Sequence, residues 1–231
     1  MTLSPCTVHV WHVNLDSDAS PELTVLSATE MNVAQDIQCV EARELYLLTH
    51  VRLRQILGNW MQFDPSDVAF DTGWNGKPRI KGAAGPSFSI SHSGRRAVIA
   101  VTHTAPVGID IELQRDRKLD RKTGQRFFAP DEAAALKPLS DQEHHHTFTR
   151  LWTFKEAFIK ATGEGLARKL NSFEVDISQP SDVRCTSHPG WNLREIEMPL
   201  GYYAAIAVNT HRPVTIATYN ATTVLDRSVA A

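Results

Sequence analysis

Residues 107–113 read VGIDIEL and residues 150–162 read RLWTFKEAFIKAT, and the periods of these two stretches decide the fold. Side chains of a strand alternate between faces, so Asp110 and Glu112 point one way while Ile109 and Ile111 point the other. Two carboxylates about 7 Å apart along a strand backed by core repel each other unless a cation stands between them. Magnesium takes such oxygen ligands, commonly one or two carboxylates plus substrate phosphates; a solvent-facing acidic edge is the plainer alternative. Along 150–162, Trp152, Glu156 and Lys160 stand at i, i+4 and i+8 on one helical face, with Lys155 beside them. Phe154, Ala157, Phe158 and Ala161 make the opposing apolar stripe, and Gly163 and Gly165 close the helix. An exposed Glu–Lys pair, worth about 0.2–0.5 kcal/mol, would explain the charges alone. Trp152 on the charged face points instead to a partly enclosed site, where Glu156 completes a three-carboxylate set and Lys155 and Lys160 neutralise phosphate.

Working outward, residues 7–13 alternate apolar and polar side chains, as a half-buried strand does. Residues 40–60 carry Leu45, Leu48, Val51 or Arg52, and Ile56 at helical spacing and are expected to stop at Gly58-Asn59. Residues 71–87 are rich in Gly and Pro and read as loop, with a short strand at Arg79–Ile80. FSIS, a sharp turn at Ser91-His92-Ser93-Gly94 and RRAVIAVTH read as a hairpin. That turn either offers hydroxyls and an imidazole to an anion or is simply structural. Pro130, Asp131 and Glu132 suit the first turn of a helix, and residues 172–178, 191–198, 202–208 and 213–219 alternate as strands. The AxIAV run at 97–101 recurs at 204–208, a weak sign of internal duplication. His144-His145-His146 has no i, i+4 pair or Cys nearby and reads as solvated loop, not a metal site. Ser and His of SISHSG are sequence neighbours, which gives a hydrolase triad no support.

The 231 residues are 42% hydrophobic and 22% charged, the mix of a globule that buries a core without staples. With 24 basic and 26 acidic residues, the formal net charge of −2 excludes a polybasic nucleic-acid binder and an acidic disordered chain. That total conceals a split. Residues 1–75 hold three basic residues (Arg43, Arg52, Arg54) and ten acidic ones, a net of −7, whereas residues 76–231 hold 21 and 16, a net of +5. An anionic ligand is therefore expected on the second part. Cys6, Cys39 and Cys185 are too scattered for a disulfide framework or a zinc site. No stretch approaches the ~20 apolar residues of a membrane span, and the opening MTLSPCTVHVWHV lacks the runs of a signal peptide. The expectation is a soluble cytoplasmic protein with neither nucleic acid nor membrane as partner.

NGKPRI (75–80), FSISHSG (88–94), VGIDIE (107–112) and LWTFKEAFIKATGEGL (151–166), in this order and at these separations, resemble the 4′-phosphopantetheinyl transferases of the Sfp type. The resemblance runs over nearly the whole chain. It implies an α+β monomer of two similar α/β subdomains related by pseudo-twofold symmetry: 1–104 on the coenzyme A side, 105–220 with the metal site and carrier docking, and a tail at 221–231. It further implies Mg2+ as cofactor and coenzyme A as co-substrate in the cleft between them. Asp110, Glu112 and Glu156 match the magnesium ligands, and Asn75, Gly76, Lys77, Ser91, His92, Lys155 and Lys160 the coenzyme A contacts. Glu156, Lys160 and Asp110 would carry catalysis as a serine of an apo acyl, peptidyl or aryl carrier protein attacks the β-phosphate and adenosine 3′,5′-bisphosphate leaves. One departure stands out: Sfp-type enzymes usually carry basic residues after the first strand, and residues 26–42 have none. Arg54 is the expected replacement at the nucleotide end, and the basic run 115–126 is expected to dock an acidic carrier. A non-catalytic coenzyme A- or carrier-binding protein of the same fold and a metal-dependent phosphohydrolase are the alternatives.

Overall fold

The long strands bury apolar side chains on both faces, which requires a layer on either side of each sheet. The computed structural model describes residues 4–16, 21–73, 75–82, 85–103, 105–114, 121–179 and 182–221, and it meets that need with two sheets and two long helices. In chain order the elements are β1 (Cys6–Asn14), α1 (Ala28–Asp36), α2 (Val40–Met61), β2 (Phe70–Thr72), β3 (Pro78–Ile80), β4 (Ser87–Ser93), β5 (Arg96–Thr102) and β6 (Val107–Leu113). They continue with α3 (Arg121–Phe127), α4 (Pro130–Leu136), α5 (Asp141–Thr162), β7 (Val175–Asp176), β8 (Arg184–Cys185), β9 (Trp191–Ile196), β10 (Tyr202–Asn209) and β11 (Val214–Asn220). The first sheet has the order β11-β1-β5-β4 and the second β6-β10-β9, while β2–β3 and β7–β8 form two-stranded ribbons.

Alternation then sorts the side chains into three cores. Trp11, Val13, Ile99 and Val101 pack against Leu45, Leu48, Ile56 and Leu57 of α2. Ala205 and Ala207 pack with Phe154, Ala157, Phe158 and Ala161 of α5, the stripe expected from the sequence. The reverse faces, with Val8, Val10, Val98 and Ala100 from one sheet and Ile109, Ile111, Ile206 and Val208 from the other, share a core between the sheets. The layers thus run α2, first sheet, second sheet, α5.

Both halves repeat one topology, a strand, a 22-residue helix and a hairpin whose last strand is central, giving the orders β1-β5-β4 and β6-β10-β9. The chain passes from the first sheet to the second between β5 and β6, with one exception. β11 returns to the first sheet and pairs in parallel with β1, Val8 opposite Ile216. The two AxIAV runs do fall on the matching central strands, but out of phase: Ile99 packs on α2 and Ile206 between the sheets. A one-residue slip reverses every side chain of a strand, so the repeat lies in the topology and not in those letters.

Several local expectations shift. α2 passes through Gly58 and ends at Gln62, whose φ is 59°. Ser91, His92 and Ser93 continue β4, and the hairpin turns on Gly94-Arg95, with Gly94 at φ 54°. α5 begins at Asp141, capped by Ser140 and Glu143, so the three histidines are helical and not loop. His144 is buried and stacks on Phe148, and His146 Nδ1 meets the Tyr203 hydroxyl at 2.5 Å. The expected tail lies outside the described residues apart from Ala221.

One glycine positions the site. A Cβ on Gly108 of β6 would stand 2.1 Å from the Ala157 carbonyl oxygen and 2.2 Å from the Ala161 nitrogen, both on α5. Only a residue without Cβ lets the helix lie this close, and the contact brings Glu156 and Lys160 beside Asp110. Gly108→Ala is therefore expected to cost about 3 kcal/mol, lowering Tm by about 6–12 °C for a chain of this size. An unchanged melting curve would show that α5 is not seated on β6 in this way.

Candidate active site

Asp110 follows Gly108 on the same face of β6 and is 4% exposed. A carboxylate at that depth needs partners. Lys160 Nζ donates to its Oδ1 at 2.6 Å and the Ser91 hydroxyl donates to the same oxygen at 2.8 Å, while Lys160 also donates to Ser91 Oγ at 2.7 Å. The other oxygen, Oδ2, is buried with no partner. Two residues on, the Ser93 hydroxyl donates to Glu112 Oε2 at 3.2 Å. Burial and then the Asp110 charge push the Glu112 carboxyl above its ordinary value, and the same two causes raise Glu156 against the opposing pull of Lys160.

Beside this cluster opens a cleft of about 890 Å³, lined by Asn75, Gly76, Lys77, Trp152, Glu156 and Lys160. Arg126, Phe127, Ile159, Arg168, Lys169 and Leu170 also line it. The Lys77 ammonium donates to the carbonyls of Val107 (2.8 Å) and Lys160 (2.7 Å), which ties its loop to β6 and α5. Burial, then the Lys160 charge, pull its pKa down to about 8. His92 shares a face of β4 with Phe88 and Ile90, and desolvation followed by the Lys160 and His50 charges lowers its pKa.

Residues 106–210, which span β6, α5 and the rest of the second sheet, match the family model described as the 4′-phosphopantetheinyl transferase superfamily. The 4′-phosphopantetheinyl transferase HetI of Nostoc sp. is 34% identical over 214 residues, 90% of this chain and 90% of its own. The chain belongs to the 4′-phosphopantetheinyl transferase family. The 4′-phosphopantetheinyl transferase Sfp of Bacillus subtilis is 36% identical over 163 residues, 69% of this chain and 71% of its own. Among solved structures, the holo-[acyl-carrier-protein] synthase of Thermotoga maritima shares 18% identity over 47% of this chain and 66% of its own, with a TM-score of 0.37.

Of the site residues expected for a phosphopantetheinyl transferase, Asn75, Gly76, Lys77, Glu156 and Lys160 line the cleft, and Asp110, Glu112, Ser91 and His92 adjoin it around Lys160. Two lie elsewhere. Lys155 has no exposed surface, and its ammonium donates to both oxygens of Glu132 (2.6 and 2.7 Å) and to the Phe173 carbonyl (2.6 Å). All three N–H bonds are taken, so it holds α5 to α4 and has none left for coenzyme A. Arg54 is 2% exposed, paired with Glu30 and donating to the carbonyls of Pro65 and Val68. It braces α1 and α2 and does not reach the cleft. Sequence reasoning missed Arg168 and Lys169, whose only signal was the positive balance of the second part, and it assigned Arg126 to the carrier-docking run instead of the lining of the cleft. The segment expected to dock carriers lies outside the described residues from 115 to 120.

The donor set fits magnesium. Asp110 keeps an orphaned oxygen, Glu112 and Glu156 are desolvated beside it, and all the donors are carboxylate oxygens. Among the described residues, no group of three or more His, Cys, Asp or Glu side chains is already drawn together to hold a metal. One or two carboxylates with phosphate oxygens satisfy magnesium, so a closed three-carboxylate cage is not required. No helix among the described residues is long and apolar enough to cross a membrane.

A carboxyl raised above its unfolded value stabilises the fold below that value and loses the contribution as pH climbs through the raised one. Ionised Glu112 and Glu156 therefore oppose folding at neutral pH. Glu112→Gln and Glu156→Gln are each expected to raise Tm at pH 7, by about 2–4 °C per kcal/mol relieved, with the gain vanishing near pH 4. Equal melting temperatures at pH 7 would contradict the desolvated carboxylate cluster.

Proposed function

We propose that this chain transfers the 4′-phosphopantetheine arm of coenzyme A to a serine of an apo carrier protein, in a Mg2+-dependent reaction that releases adenosine 3′,5′-bisphosphate. The observation that carries this reading is the orphaned, buried oxygen of Asp110 beside Glu156 and Lys160 in a cleft rimmed by cations. Asp110, Glu112 and Glu156 would hold the ion, which when bound offsets charge on the pyrophosphate and the leaving bisphosphate. Phosphoryl transfer is mainly positioning and charge neutralisation, and the residues divide that work.

Glu156, with its raised pKa, accepts the proton of the carrier serine as its oxygen bonds to the β-phosphorus and the bond to the bisphosphate breaks. Lys160 faces the cleft beside Glu156 and pairs with charge on the transferred phosphate. Asn75, Gly76, Lys77 and His92 take coenzyme A on the β4 side. Trp152, Phe127, Ile159 and Leu170 give an apolar wall suited to the pantetheine arm, and Arg126 and Lys169 meet phosphate charge. A protein that merely binds coenzyme A has no use for three clustered carboxylates, which repel phosphate without an ion. That argues against the non-catalytic alternative.

Incubation with coenzyme A, Mg2+ and a panel of apo acyl, peptidyl and aryl carriers is expected to add one phosphopantetheine mass to at least some of them. No mass gain on any carrier would overturn the function. Asp110→Asn and Glu156→Gln should each lower kcat by about 100-fold or more, and activity retained in both would remove the catalytic assignment.

A further inference from the structure

Strands β4 and β6 are edge strands of different sheets. An edge strand presents outward N–H groups that need partners. Here serine hydroxyls supply them: Ser89 Oγ accepts from the Ile109 N–H at 3.0 Å and Ser93 Oγ from the Leu113 N–H at 3.0 Å. Rising residue numbers on β4 meet rising numbers on β6, so the two strands run side by side in parallel, spaced by side chains instead of a backbone ladder. The same row of hydroxyls reaches the carboxylates. Ser91 donates to Asp110 Oδ1 at 2.8 Å and Ser93 to Glu112 Oε2 at 3.2 Å.

Each hydroxyl fixes one oxygen of its carboxylate and leaves the other open. Asp110 Oδ2 is buried without a partner, and among the described residues no donor meets Glu112 Oε1. Ser91 is engaged on both sides, accepting from Lys160 and donating to Asp110. Ser93 likewise accepts from a backbone N–H, which directs its own proton toward Glu112. We propose that Ser91 and Ser93 are positioning residues of the transferase, orienting Asp110 and Glu112 from the opposite sheet so that the divalent-ion site exists only while β4 and β6 are in register. This rests on the functional reading above. Ser91 then acts through Asp110 and not by touching coenzyme A.

Loss of a group that orients a metal ligand weakens metal binding by about 10–100-fold. The test is Mn2+ binding, as a stand-in for Mg2+, followed by the paramagnetic resonance of the free ion with saturating coenzyme A. It compares the full-length wild type with Ser93→Ala, Ser93→Cys and Ser89→Ala. Ser93→Ala is expected to bind Mn2+ about 10-fold more weakly or worse; Ser93→Cys keeps the volume, weakens the donor and shifts the same way if the alanine variant does not fold. Ser89→Ala loses only a backbone partner and is expected to lower Tm with Mn2+ affinity intact. In turnover, Ser93→Ala raises the half-saturating Mg2+ concentration while KM for coenzyme A at saturating Mg2+ stays put. Wild-type Mn2+ affinity in a folded Ser93 variant overturns the proposal, as does an equal loss in Ser89→Ala or a wild type that binds no Mn2+. A wild type that binds Mn2+ yet modifies no carrier overturns the transferase reading instead, leaving the serine comparison to be judged on binding alone.

Discussion

The cleft depends on one buried carboxylate that is partnered on one side only. Asp110 Oδ1 receives Lys160 from α5 and Ser91 from the opposite sheet, so both halves of the molecule meet at a single atom. Removing an ion from water costs several kcal/mol even after relaxation, and these two partners offset that for one oxygen while Oδ2 remains exposed to the penalty. The surroundings hold the arrangement in place. Gly108 lets α5 lie against β6, and the Lys77 ammonium binds the Val107 carbonyl at the start of β6 and the Lys160 carbonyl in the last turn of α5. A cation at a helix C-terminus is favourable in its own right, so the loop that borders the cleft also fastens the two elements that carry its chemistry.

The split of charge along the chain acquires a structural meaning. Arginines of the acidic first part are engaged at home: Arg54 by Glu30, Arg43 by the Ile37 carbonyl at 2.9 Å. Burial pushes the Glu30 carboxyl up, yet hydrogen bonds from His50 and Ser27 with the Arg54 charge hold it at about 2. Of the described residues 1–75, only Asn75 lines the cleft, and its cations Lys77, Arg126, Lys160, Arg168 and Lys169 all lie in the positive part.

Periodicity made much of this legible. The two-residue alternation of VGIDIEL and the apolar stripe of α5 are local, and both stand as the spacing required. Lys155 shows where proximity in sequence misleads: a step of one residue on a helix turns about 100°, which takes it from the Glu156 face into the core beside Phe154 and Glu132. Reading Ser91-His92-Ser93 as a turn hid the strand whose alternate serines bridge to β6, because small polar residues serve turns and strand edges alike. The return of β11 to β1 joins residues some 200 positions apart, and no local pattern encodes such a pairing.

Two halves with one topology nevertheless hold one site, and the difference lies in what each first strand presents to its helix. β1 offers Trp11 and Val13 to α2, and these side chains fill the space with Leu45, Leu48 and Ile56 as ordinary core. At the corresponding face of β6 stand Gly108, Asp110 and Glu112. A glycine brings the helix down, and the next two positions of the same face run past the apolar stripe to where Glu156 and Lys160 project. Apolar bulk on that face makes a scaffold. A glycine followed by two carboxylates makes the half-partnered acidic cluster beside the cleft, and the repeated fold supplies the other sheet, whose serines donate to those carboxylates.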